Sequence, residues 1–99
     1  MMGKIKYQFI TKMWRHNAPG GWYFASVPEN LSKEIRENLQ WQEEGWGRMK
    51  ATAKINQVQW DSAIWFDTNN ECYILPIKAE IRKKTQLELS QEFEMAIWV

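Results

Sequence analysis

Over residues 48–55 the apolar side chains Met49, Ala51, Ala53 and Ile55 alternate one for one with Arg48, Lys50, Thr52 and Lys54. Successive side chains of an extended strand point to opposite faces, so this period of two predicts a strand with one face in a core and the other in water. The same period recurs along the chain. Ile5, Tyr7, Phe9, Thr11 and Met13 alternate with Lys4, Lys6, Gln8 and Lys12. Ile10 and Trp14 interrupt the polar face of that strand, which predicts a cover over its far end. Val58, Trp60, Ser62, Ile64 and Phe66 share one face of a further strand, with Gln59, Asp61, Ala63 and Trp65 on the other. Phe93, Met95, Ile97 and Val99 do the same at the end of the chain, opposite Glu94, Ala96 and Trp98.

Two shorter runs complete the set. Trp22 to Val27 reads as a strand ended by Pro28, which cannot donate to a central ladder. Cys72 to Leu75 is apolar on both faces, as in a strand covered on both sides, and Pro76 ends it. Turn formers separate the runs: Arg15 to Gly21 with an Asn, a Pro and two Gly residues, the pair Asn56-Gln57, and Asp67 to Asn70, which tolerate positive φ. Trp41 to Gly45 reads as a loop.

Twice the period changes to that of a helix. Leu31, Ile35 and Leu39 form one narrow stripe with Asn30 as the candidate N-cap, and Ile77 with Ile81 marks one or two further turns. Glu80 and Lys84 are spaced to pair, and Lys78 and Arg82 are spaced to stack as a like-charge pair on one helical face. The expected fold is therefore mainly β, with about six strands and two short helices in a hairpin-rich order, one domain over residues 1–99.

Composition narrows the functional classes. The chain has 99 residues and a net charge of +1, which provides no bulk attraction to nucleic acid or to an anionic membrane. The single Cys72 cannot form an internal disulfide, and no stretch resembles a signal peptide or a membrane span, so the expected compartment is the cytoplasm. Seven Trp residues are unusual in so short a chain. The plain expectation is that most fill the core, with some lining a concave or oligomeric surface. Ala51 and Ala53 leave room inside for such a neighbour.

The order Gly21-Trp22, Val27-Pro28, Gly45-Trp46-Gly47, Tyr73-Ile74-Leu75-Pro76-Ile77-Lys78 and Ile81-Arg82-Lys83 resembles a family of small bacterial and archaeal proteins, the domain-of-unknown-function family 1905 (DUF1905). The resemblance spans about Tyr7 to Val99 and implies a double-split β-barrel, similar in architecture to AbrB-type transcription regulators of another superfamily. Family members usually carry Gly-Asp before the last strand where this chain has Ser90-Gln91. If the first position of that turn needs positive φ, Ser90 must carry strain. The resemblance implies no catalytic residue.

Nor do the residues themselves display a catalytic constellation, a phosphate loop, a cofactor motif or a metal-ligand cluster. His16 reads as a surface turn residue and Cys72 as a buried, inert thiol. The best candidates for ligand binding are Trp46, Arg48, Trp65, Lys78 and Arg82, an anion-binding set of cations with indoles for stacking. The favoured reading is a binding module for a small anionic ligand or a macromolecular partner, with nucleic acid disfavoured by the net charge. Two alternatives stand beside it: an enzyme acting on an anionic substrate in a cleft lined by Trp, Lys and Arg, and a structural protein whose exposed Trp residues form a homo-oligomeric interface.

Overall fold

A computed structural model of the chain describes residues 5–17 and 20–99. Lys4 of the first strand pattern and Pro19 of the first turn lie outside them. Six strands appear in the order β1 (Lys6–Arg15), β2 (Tyr23–Ser26), β3 (Arg48–Ile55), β4 (Val58–Asp67), β5 (Cys72–Pro76) and β6 (Glu92–Trp98). Helix α1 (Glu29–Leu39) lies between β2 and β3, and α2 (Ala79–Thr85) between β5 and β6. The strands close into a barrel, β1-β2-β5-β4-β3-β6, in which every neighbouring pair runs antiparallel.

Closure follows from the alternation. The inward faces named above, from Tyr7 and Phe9 to Met95, Ile97 and Val99, supply one buried cluster, which also includes Ile35 and Leu39 of α1 and Ile77 and Ile81 beside and on α2; Ile5, expected on the inward face, is instead exposed ahead of β1. Residues of both helices join the cluster inside the closed wall, so each helix lies over an open end. β2 and β5 are antiparallel neighbours, and α1 leaves the end of β2 while α2 leaves the end of β5, so the two helices cover opposite ends of the barrel.

Several local expectations are corrected by the tertiary structure. Pro28, and not Asn30, precedes the first helical residue of α1, with extended backbone at ψ 147°. The segment read as a loop contains two short 3-10 turns, Gln40–Gln42 and Gly45–Gly47. In the β4–β5 hairpin, Asp67 accepts the Asn69 amide and the Asn70 side chain, so the left-handed residue is Glu71 at φ 53° and none of the four before it. Ser90 does adopt positive φ, 67°, a conformation that Gly would enter at lower cost.

The tryptophans depart furthest from expectation. None is among the fully buried residues; Trp22, Trp41 and Trp46 are exposed, and aliphatic side chains with Tyr7, Phe9 and Tyr73 make the core. Trp60 alone follows the anticipated pattern: it lies across from the small Ala53 and packs against the cluster. At the far end of β1, Trp14 is covered by Phe24, at 5.0 Å between ring centres, and donates to Ser26 Oγ, whereas Ile10 stays exposed.

Candidate functional site

At the α2 end, the start of β2 and the exit of β5 enclose a cleft of about 250 Å³, lined by Trp22, Tyr23, Ile77, Lys78, Ala79 and Arg82 with Gly20 and Gly21. Its charges are cationic: none of the described lining residues carries a carboxylate. Arg82 is fixed at two points, with its guanidinium 3.8 Å above the Tyr23 ring and Nη1 donating to the Ile77 carbonyl at 2.9 Å. A cation over an aromatic face is held by the ring's quadrupole, worth about 0.5–2 kcal/mol. Arg15 approaches the same ring at 6.0 Å. Gly21 makes that approach possible, since a Cβ there would lie 2.5 Å from the Arg15 guanidinium, and its φ is +55°.

Lys78 does not stack on Arg82 along a helical face. It precedes α2 with extended backbone, φ −67° and ψ 158°, so its exposed ammonium stands at the mouth while Arg82 forms a wall. Both residues border the same cleft, and the Tyr23 ring and the Ile77 carbonyl answer the Arg82 charge.

Trp46, Arg48 and Trp65 lie at the other end of the barrel, with α1. Arg48 begins β3 opposite Trp65 near the end of β4; its guanidinium sits 5.6 Å from that indole and donates to Glu44 at 2.6 Å. Trp46 is 95% exposed, and its left-handed backbone (φ 66°, ψ 23°) turns the chain into β3. The five residues therefore form two groups separated by the length of the barrel.

A second cleft, of about 610 Å³, lies at the α1 end between α1 and the β4–β5 hairpin. Two of its lining residues, Arg36 and Phe66, belong to a closed ring of four side chains. Tyr73, fully buried, donates its hydroxyl to Glu43; Glu43 pairs with Arg36 Nε at 3.7 Å; Arg36 lies 3.8 Å above Phe66; and Phe66 meets Tyr73 edge-on at 5.1 Å. Burial, then the bond to Glu43, hold the Tyr73 hydroxyl well above its ordinary pKa, so it remains a donor. Gly47 lets the chain pass this ring, since a Cβ there would approach Phe66 Cβ at 3.2 Å. Sequence periodicity placed Phe66 on the apolar face of its strand and Tyr73 in a run apolar on both faces, but had no signal for Glu43, in a connector, or for Arg36, on a polar helix face.

Cys72 is buried and its thiol pKa is raised, first by desolvation and then by the nearby Asp67 charge, which disfavours the thiolate. Among the described residues no helix is long and apolar enough to cross a membrane. A family model described as a domain of unknown function, DUF1905, matches residues 9–97. No curated protein matches the chain.

Proposed function

The chain belongs to the DUF1905 family, and from that premise we propose that it is a binding module whose α2-end cleft takes a small anion. The observation that carries this reading is the charge of the lining. In a chain of net charge +1, Lys78 and Arg82 border a cleft to which no described residue contributes a carboxylate. Tyr23 holds Arg82 in one orientation, so little conformational freedom is lost when its outer N–H groups meet an oxyanion. The volume, about 250 Å³, lies just below the roughly 300–1,000 Å³ of drug-sized ligand pockets, which favours a phosphate, a pyrophosphate or a compact carboxylate. Trp22 at the rim offers an exposed indole face to any planar group such a ligand carries.

Titration of the 15N-labelled chain with sodium phosphate, pyrophosphate and AMP tests the proposal. Amides of residues 20–23 and 77–82 are expected to shift. Lys78→Ala should weaken binding by roughly tenfold, the equivalent of one charge-assisted contact. Its thermal midpoint should not change, because the Lys78 side chain is exposed. Failure of all three anions to move these amides, or equal affinity in Lys78→Ala, would overturn the assignment.

A further inference from the structure

The cleft at the α1 end has different chemistry. Arg36 and Lys33 enter it with Glu29, Glu37 and Glu71, two cations against three carboxylates, beside Phe66 and Thr68. A simple anion would meet three carboxylates there, and a simple cation two bases. A molecule carrying both signs answers both sets.

One of these charges is preorganised. The Arg36 guanidinium is clamped between Glu43 at its Nε and the Phe66 ring beneath it, and Glu43 is itself held by the buried Tyr73 hydroxyl. The clamp uses one edge of the fork. The terminal Nη groups have no hydrogen-bond partner among the described residues, and the side chain keeps 34% of its exposure. A guanidinium fork with its two outer N–H groups free and its orientation set matches a carboxylate bidentately. Across the cleft, Glu71 occupies the left-handed region at φ 53° although Asn70, which tolerates it better, stands one residue earlier. Left-handed backbone at a non-Gly residue is strained and persists where the surrounding structure holds it. The volume, about 610 Å³, lies within the roughly 300–1,000 Å³ typical of ligand sites.

We infer that the α1 cleft binds a zwitterion, a free amino acid or a short peptide, with its carboxylate on Arg36 and its ammonium between Glu37 and Glu71. This site is independent of the anion cleft at the opposite end. The test is a 15N titration of the full chain with L-alanine, L-glutamine, L-phenylalanine and the dipeptide Ala-Ala, against N-acetyl-alanine, which lacks the ammonium, and alaninamide, which lacks the carboxylate. Amides of Arg36, Phe66 and Glu71 are expected to shift with the zwitterions, and each blocked analogue should bind roughly tenfold more weakly. A stronger response to Ala-Ala than to L-alanine assigns the peptide, and the reverse assigns the amino acid.

Glu37→Gln with Glu71→Gln should weaken the zwitterions while leaving N-acetyl-alanine unchanged. Both side chains are exposed and lie outside the Tyr73 clamp, so the fold is not at stake. Arg36→Lys, which keeps the charge and loses the fork, should weaken every ligand with a carboxylate. Lys78→Ala should leave the whole titration untouched, so failure here and failure of the anion site are read separately. Equal binding of the blocked and unblocked ligands, or no shift with any of them, would overturn the inference.

Discussion

Tyr73→Phe removes one hydroxyl and leaves the ring in place, edge-on to Phe66 at 5.1 Å. What it deletes is the donor to Glu43, a carboxylate whose side chain is only 10% exposed and whose remaining partner is Arg36 at 3.7 Å. A hydrogen bond to a charged group contributes about 1.5–3 kcal/mol, and a carboxylate this buried regains little hydration, so the expected cost at neutral pH is about 2 kcal/mol. For a domain of this size that corresponds to a fall of about 8–16 °C in Tm.

The pH dependence gives a second and sharper readout. The folded-state pKa of Tyr73 is raised from its ordinary 10.0. The native chain therefore keeps the proton to higher pH than the unfolded chain does. Its contribution is complete below the unfolded value and is lost as the pH rises toward the folded one. One pH unit above the unfolded value, at about pH 11, the wild type has lost about 1.4 kcal/mol that the Phe variant never had. Tyr7, whose pKa is also raised, is present in both chains and cancels in the difference. Urea unfolding followed by tryptophan fluorescence should thus show a gap of about 2 kcal/mol near pH 7 that narrows to under about 1 kcal/mol near pH 11. A gap below about 0.5 kcal/mol at neutral pH, or one that does not narrow, would refute the Tyr73–Glu43 bond as the fastener of this end.

Ser32→Ala should cost about 1–3 kcal/mol, because Ser32 Oγ is fully buried, accepts the Tyr73 amide at 3.0 Å and donates to the Val27 carbonyl at 3.1 Å. Hydrogen exchange should show the Tyr73 amide losing protection, and an unchanged denaturation midpoint would contradict this. Trp46→Gly should keep or raise stability, by up to about 1 kcal/mol, because Gly relieves the left-handed backbone at φ 66°. The indole is 95% exposed and so has little packing to lose; a fall in the urea midpoint would refute that account.

The strands were legible because alternation is local: Met49, Ala51, Ala53 and Ile55, and Met95, Ile97 and Val99, are buried as their spacing requires, although Thr52 and Ala96 on the opposite faces are buried as well. The helices were legible through the spacing of Leu31, Ile35 and Leu39 and of Ile77 and Ile81. Less visible was the fate of the tryptophans, since apolar character alone does not say whether a residue faces inward. The even-numbered Trp14, Trp22 and Trp98 fall on strand faces or ends that point away from the interior. Trp41 and Trp46 ride on a connector whose path is set by its two ends.

The sequence by itself determined the elements and the inward face of each strand, because these depend on neighbours two, three or four residues away. The tertiary structure alone decided the closure order, with β6 lying between β1 and β3. It also decided which end each helix covers. That placement puts Lys78 and Arg82 at one end of the barrel and Trp46, Arg48 and Trp65 at the other. It brings Arg36, Glu43, Phe66 and Tyr73 from four separate segments into one clamp. The physical reason is range: periodicity reports which way a side chain points, whereas a site depends on which distant segments meet when the barrel closes.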